Sequence, residues 1–266
     1  MPLCAVPRSW TVPLIPRPGG YEPEKAAADL HSSELMFKLS HTLPGNQRLS
    51  TTGFFSRDAN DRGVTGGPGL RLDNALRWRN AAASVRWAGV AGPTLFFSAS
   101  AAFTDYGFSA RHRWSSPGAP DERFNSEFTL QDLSLRGHAE YFYDEFHTML
   151  AGVELVQHRL SGTISAFSSQ ILSMSLSAPP PWELSVYVQD QWRLVPSVLA
   201  EFGARATSFV AAGGASSSVD PRFSLLVMLD DDRRIFASLS AVNQYIHPYR
   251  HSGIFLFVPS IFFYPS

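Results

Sequence analysis

Apolar and polar residues alternate along most of the chain, and helical periodicity is scarce. An alternation with a period of two is typical of β-strands that have one apolar and one polar face. One short stretch, residues 22–32 (EPEKAAADLHS), could form about two turns of helix. Ten segments show the strand pattern: 33–42, 48–57, 74–88, 94–109, 128–142, 147–160, 182–194, 198–209, 221–229 and 233–245.

The connections between these segments alternate strictly between short and long. The short ones are rich in Gly, Pro, Asn or Asp, as tight turns are: 43–47, 89–93, 143–146, 195–197 and 230–232. The long ones are polar or rich in small residues: 58–73, 110–127, 161–181 and 210–220. Transmembrane β-barrels have short periplasmic turns and long extracellular loops. Soluble strands average about 5–6 residues, whereas about 9–11 residues cross a bilayer. The pattern therefore predicts an antiparallel up-and-down transmembrane β-barrel.

The two faces of the segments favour the same fold. In residues 183–207, an apolar stripe of Leu184, Val186, Val188, Phe202 and Ala204 alternates with polar residues. We expect the apolar stripe to face lipid and the polar residues Glu183, Gln189, Glu201 and Arg205 to face the lumen. Four tryptophans are predicted to belong to an aromatic girdle at headgroup depth: Trp78, Trp87, Trp182 and Trp192.

The direction of the strands predicts how the chain is organised. Because the first connection is a short turn, the first segment runs towards the periplasm and the tenth runs outwards. We therefore expect an extracellular-loop-like or irregular segment at 1–32, a partial transmembrane barrel at 33–245 and a truncated extracellular-loop segment at 246–266. The sequence reads as an incomplete part of a larger barrel.

Composition excludes some partners. The formal net charge is -1, with 22 basic and 23 acidic residues, so nucleic acid is not an expected partner. A single cysteine provides no disulfide framework. No apolar run is long enough for a transmembrane helix.

Several stretches resemble TonB-dependent outer-membrane receptors. They are ELSVYVQDQWRL (183–194) with LAEFGARATSF (199–209), the segment 219–253 with its DPR, IFAS and Gln-Tyr pieces, FFSRDANDRG (54–63) and ASAAFTDYGFS (99–109). The resemblance implies a piece of a 22-stranded barrel with a plugged lumen. It also implies import of a large scarce ligand such as a ferric siderophore, cobalamin or an oligosaccharide. The intact parent would use a plug domain and an energy-coupling inner-membrane complex. A plug, an energy-coupling box and a signal peptide are not recognisable in this sequence.

The expected function is therefore transport across a Gram-negative outer membrane, with outer-membrane lipid around the barrel. We predict no catalytic residues, no cofactor and no metal site. A group at the outer end of the tenth segment could contact a ligand: Asn243, Gln244, Tyr245, His247, Tyr249 and Arg250.

Two alternatives stay open. One is a self-contained ten-stranded outer-membrane pore or enzyme, whose candidate catalytic residues would be Asp105, Asp190, His138 and His158. The other is a soluble all-β binding module.

Overall fold

In the computed structural model the described chain is built of β-strands and their connections. The structure describes residues 4–10, 25–66, 69–167, 171–177, 179–251 and 260–265. None of these residues forms a helix that is long and apolar enough to span a membrane. The strands are β1 (Cys4–Trp10), β2 (Lys25–Leu43), β3 (Gln47–Gly66), β4 (Leu70–Ala91), β5 (Leu95–Ser115), β6 (Glu122–Phe142), β7 (His147–Phe167), β8 (Ile171–Ser177), β9 (Trp182–Val195), β10 (Val198–Ala211), β11 (Gly214–Met228), β12 (Arg234–Ser240), β13 (Ile246–His251) and β14 (Ser260–Pro265).

Twelve of the strands form one antiparallel sheet in which nearly every strand pairs with its neighbours in sequence. The order runs from β1 to β7 and then from β9 to β12, and β8 pairs with β7 beside this path. Strands β13 and β14 form a separate hairpin. Among the described residues the edge strands β1 and β12 do not pair with each other, so the sheet is open. The ten predicted segments correspond to β2–β7 and β9–β12, and the all-β up-and-down prediction is confirmed.

The helix considered for residues 22–32 is wrong from Lys25 onwards. Strand β2 begins there, and its ladder with β3 pairs Lys25 with Thr65 and Asp29 with Asp61. The alanines of this stretch have high helix propensity, but propensity is a weak preference that a continuous hydrogen-bonded ladder overrides.

The four stretches predicted as long loops are mostly strand. Strand β3 continues to Gly66 and β4 begins at Leu70, and β10 and β11 are separated only by residues 212–213. The connection between β5 and β6 shrinks to 116–121. Polar and small residues interrupt the apolar stripe of the outer face here, although the backbone ladder is complete.

The structure also contains strands that the sequence analysis did not predict. Strand β8 pairs with the end of β7 that lies away from the tight turns, and β1 pairs with β2. The ILSMSLS sequence of β8 alternates apolar residues with serine, which is a usable strand signal. Strands β1, β13 and β14 lie in the segments 1–32 and 246–266, and β14 contacts β6.

One face of the sheet carries a continuous band of exposed apolar side chains. We call this face the outer face and the opposite one the inner face. The band crosses the ladders from β2 to β12, because residues paired across neighbouring strands point to the same side. Its large exposed members include Leu35, Phe37, Leu39, Phe55, Val85, Trp87, Phe103, Leu133, Leu135, Val153, Leu184, Val186, Val188, Phe202, Phe223, Ile235 and Leu239. We call this set the apolar band.

Two tryptophans bracket the band on β9. Trp182 and Trp192 share the outer face and are both exposed. At ~3.3 Å per residue they lie about 33 Å apart along the strand. At a ~40° strand tilt that distance corresponds to about 25 Å of thickness, the height of the apolar band of outer-membrane barrels. Trp87 lies at the turn end of the same face, where its Nε1 donates to Gln47 Oε1 at 2.8 Å.

The amphipathic pattern reverses beyond the apolar band, on the side of the sheet that lies away from the tight turns. Towards the ends of β4–β7 that lie away from the tight turns, the inner face becomes apolar and the outer face becomes charged. An inner-face cluster buries Phe108, Ala110 and Phe128 and includes Leu76, Trp78, Tyr106, Phe124 and Ile164. The prediction that Trp78 belongs to an aromatic girdle is therefore wrong. Its ring packs on Phe108 at 5.6 Å on the inner face. Position 78 alternates with Val85 and Trp87 of the band, so it lies on the inner face, which is apolar at this end of β4.

Candidate functional site

A row of polar residues crosses four strands on the inner face. The ladders place Arg136 of β6 opposite Glu154 of β7, Glu154 opposite Ser185 of β9, and Ser185 opposite Thr207 of β10. Since directly opposite residues have Cβ atoms about 4.5–5.5 Å apart, one side chain can bridge to the next. Together with Arg205, Glu183, His158 and Asp132, this row forms what we call the inner-face network.

Glu154 is the centre of the network. Its side chain is 10% exposed, one carboxylate oxygen accepts from Arg136, and the other accepts from Arg205 Nη2 at 2.8 Å. Such charge-assisted hydrogen bonds are about twice as strong as neutral ones. Because both oxygens of Glu154 accept from guanidinium groups on two different strands, the residue holds the network together.

Two hydroxyl groups complete the contacts of Arg205. Its Nη2 donates to Ser185 Oγ at 2.8 Å, and Ser185 Oγ lies 3.0 Å from Thr207 Oγ1. Both hydroxyl-bearing residues are fully or nearly fully buried. Buried polar groups of this kind are costly unless hydrogen-bonded, so the row fixes the local side-chain arrangement.

A second part of the network lies towards the apolar cluster. His158 Nδ1 is 2.8 Å from Asp132 Oδ1, and its Nε2 is 3.9 Å from Glu183 Oε2. Glu183 Oε1 is in turn 3.6 Å from Arg205 Nη2, which joins the two parts. The sequence alternation predicts that Glu183 and Arg205 lie on the same face of the sheet, and the structure agrees. The cluster itself was not predicted, because its other members come from strands whose relative register only the folded sheet defines.

The four candidate catalytic residues of the alternative reading do not come together. His138 and His158 lie on the inner face, where His138 Nδ1 is 3.2 Å from Ser98 Oγ. Asp105 and Asp190 lie on the outer face. Asp105 accepts from Arg79 and Gln131, and Asp190 lies 2.9 Å from His147 Nδ1. Acid–base catalysis needs its groups within reach of one substrate, and a sheet separates these two pairs.

The predicted ligand-contacting group divides into two parts. After β12 the chain folds over the inner face: the Tyr245 ring stacks on Phe209 at 5.2 Å, and its hydroxyl donates to Ser218 Oγ at 2.7 Å. Asn243 donates to Asp220, and Gln244 donates to the carbonyl oxygen of Ile246. The backbones of His247, Tyr249 and Arg250 belong to β13, and their side chains lie outside the described residues. The group stays a prediction.

Metal-ligating side chains are dispersed in the described part of the chain. No group of three or more His, Cys, Asp or Glu side chains there could hold a metal ion.

Comparison with known proteins gives similarity of fold alone. No protein-family model matches the sequence, and no curated protein matches it. Among solved structures, the ferric yersiniabactin uptake receptor FyuA from Yersinia pestis is similar with a TM-score of 0.50 and 8% identity, covering 81% of this chain and 44% of that receptor. BauA, the ferric preacinetobactin receptor from Acinetobacter baumannii, has a TM-score of 0.48 and 9% identity, over 90% of this chain and 47% of BauA.

A third solved structure comes from a different class. The β domain of the Bordetella autotransporter BrkA has a TM-score of 0.46 and 12% identity, over 80% of this chain and 84% of that domain. This chain thus spans less than half the length of the Yersinia receptor and shares with it the antiparallel fold of an outer-membrane β-barrel.

Proposed function

We propose that this chain is part of the barrel of a TonB-dependent receptor-like transporter in a Gram-negative outer membrane. Residues 33–245 form the partial barrel in this proposal. The intact parent imports a large scarce ligand of the siderophore, cobalamin or oligosaccharide type, and this chain performs no enzymatic step. A plug domain and an energy-coupling inner-membrane complex are the proposed partners.

The observation that carries the proposal is the apolar band. Its members are exposed on one face of the ten strands β2–β7 and β9–β12, and several are more than half exposed, Val188 by 60%. In water so large an apolar surface would drive association, whereas a bilayer covers it. The likeness to the Yersinia receptor supports the same fold at a TM-score of 0.50.

The open sheet supports a parent with further strands. Unpaired backbone groups at a sheet edge cost several kcal/mol each in hydrocarbon, so membrane-spanning sheets close. The edges of the described sheet, β1 and β12, do not pair with each other. Additional strands of the parent would pair with both edges.

Uptake assays test the transport proposal. Cells that carry the intact reading frame are supplied with ⁵⁵Fe-loaded siderophores, labelled cobalamin or labelled maltodextrins, with and without the inner-membrane energy-coupling complex. We expect uptake of one probe class that is lost without that complex. Uptake that persists without it, or steady ion conductance of this chain alone in planar bilayers, would instead support a self-contained pore.

A further inference from the structure

Arginines are concentrated on the outer face directly above the apolar band. They lie on β3–β7, on the side away from the tight turns. The set, which we call the arginine belt, consists of Arg57, Arg71, Arg77, Arg79, Arg111, Arg113, Arg123 and Arg159. Arginine supplies almost all the positive charge of this chain, since Lys25 and Lys38 are its only lysines.

The belt begins where the band ends. Arg57 follows Phe55 by two positions on β3, and Arg79 pairs directly with Arg57 across the ladder to β4. On β7, Arg159 lies two positions beyond Gln157, which is opposite Leu133 of the band. In a bilayer this level is the boundary between hydrocarbon and headgroups.

Part of the belt is fixed by carboxylates. Arg77 makes two hydrogen bonds to Asp61, at 2.6 and 2.7 Å. Arg79 Nε donates to Asp105 Oδ2 at 2.8 Å. These pairs orient the guanidinium groups before any ligand arrives, which lowers the entropic cost of binding.

In the described part of the chain, three other arginines of the belt have no carboxylate partner. Among the described residues, Arg57, Arg111 and Arg159 have no ion pair with a carboxylate. Arg57 also faces Arg79 directly across the ladder, whereas Arg113 and Arg123, which face each other as well, share the carboxylate of Asp121. Like charges directly opposite are destabilising, and a bound anion would relieve the repulsion.

A depression of about 390 Å³ lies within the belt. Small residues line it, namely Ala75, Gly107 and Ser109, and Arg57, Arg77, Arg79 and Arg111 border it together with Glu127. A Cβ added at Gly107 would come within 3.3 Å of Arg79 Nη2, so the missing side chain leaves room for that guanidinium group. Several N–H donors thus converge on one recess.

We propose that the arginine belt binds the phosphate groups of an anionic lipid in the outer leaflet of the membrane, with the acyl chains lying against Phe55 and the neighbouring band. Guanidinium groups pair with phosphate through two parallel hydrogen bonds, and basic clusters at the membrane surface bind phosphorylated headgroups. This inference rests on the membrane location proposed above.

The test compares two triple variants of the full chain folded in detergent micelles. Variant one changes the belt arginines that have no carboxylate partner: Arg57→Gln, Arg111→Gln and Arg159→Gln. The matched control changes Arg48→Gln, Arg193→Gln and Arg234→Gln, which lie near the turn end and also have no carboxylate partner among the described residues. Native mass spectrometry measures binding of bisphosphorylated lipid A, of its dephosphorylated form and of inorganic phosphate.

We expect variant one to bind bisphosphorylated lipid A at least tenfold more weakly than the unchanged chain, and the control to bind it equally well. Dephosphorylated lipid should bind weakly to all three. Equal binding by variant one and the unchanged chain, or competition by millimolar inorganic phosphate, would overturn the lipid assignment. Flotation with liposomes distinguishes failure of the lipid proposal from failure of the membrane proposal. If the chain fails to float, both proposals are overturned. If it floats but binds lipid A independently of the arginine belt, only the lipid proposal is overturned.

Discussion

Glu154 is the residue on which the inner-face network depends most. It is nearly buried and accepts hydrogen bonds from Arg136 and Arg205 at once. Removing one member of such a group leaves the remaining charges without their partner, which costs more than the bond itself contributed.

The change Glu154→Gln tests this dependence. It keeps the side-chain shape, removes the charge and points an amide N–H₂ group at a guanidinium. We expect the free energy of unfolding to fall by about 1–3 kcal/mol, because Arg136 loses its carboxylate partner and Arg205 keeps only the more distant carboxylate of Glu183. Urea unfolding from liposomes, followed by tryptophan fluorescence, gives the value.

The control is Glu145→Gln in the exposed turn at 143–146, where we expect a change within about 0.5 kcal/mol. Equal effects of the two substitutions would show that Glu154 does not organise the network.

At the scale of single elements, the packing between β6, β7 and β9 depends on one glycine. A Cβ added at Gly152 of β7 would lie 2.8 Å from the carbonyl oxygen of Gly137 in β6 and would also overlap the Tyr187 side chain. A side-chain neighbour can turn away, whereas a backbone carbonyl in a continuous ladder cannot move without breaking its own hydrogen bonds.

We therefore expect Gly152→Ala to lower the free energy of unfolding by about 1–3 kcal/mol through overpacking. Gly213→Ala is the matched control, since a Cβ there meets nothing within 4 Å. Both substitutions reduce the freedom of the unfolded chain equally, so the difference between them reports the steric effect. If the midpoints of urea unfolding coincide, the sheet accommodates a methyl group at position 152.

At the scale of the whole molecule, the apolar band should decide whether the protein enters a bilayer. Val188 lies on β9 between Trp182 and Trp192 on the outer face, and Gln189 points to the inner face. We expect Val188→Arg to destabilise the membrane-inserted state by about 2–4 kcal/mol, the cost of arginine at the midplane. Gln189→Arg should cost much less, because its charge faces away from lipid.

Folding into liposomes, scored by the heat-resistant fraction on a gel and by urea unfolding, measures both variants. If Gln189→Arg proved as harmful as Val188→Arg, the assignment of the two faces would be wrong.

The sequence pattern predicted most of the strands and turns, and it missed the strand ends that lie away from the tight turns. The ten long strands, the tight turns and the two faces of 183–207 follow from alternation, which persists wherever one face is apolar. The pattern failed at the outer ends of β3 to β6, where it predicted loops. It also misplaced Trp78, because neither the reversal of the two faces nor the inner-face cluster is visible in one strand alone. The partners of Glu154 lie 18 and 51 positions away, at Arg136 and Arg205, and only register brings them together.

In the proposed outer-membrane location, the reversal of the two faces along β4–β7 sets the depth of the molecule in the bilayer. A strand whose outer face stayed apolar throughout could slide along the membrane normal at little cost. Here, sinking by one ladder step would pull Arg57 and Arg79 towards hydrocarbon, and rising would lift Phe55, at the belt edge of the apolar band, out of hydrocarbon. Both displacements cost free energy in proportion to the side chains moved. In that location the sequence therefore specifies the position of the sheet along the membrane normal. Segments on the side away from the tight turns, such as the β5–β6 connection, are held at a constant height above the membrane surface.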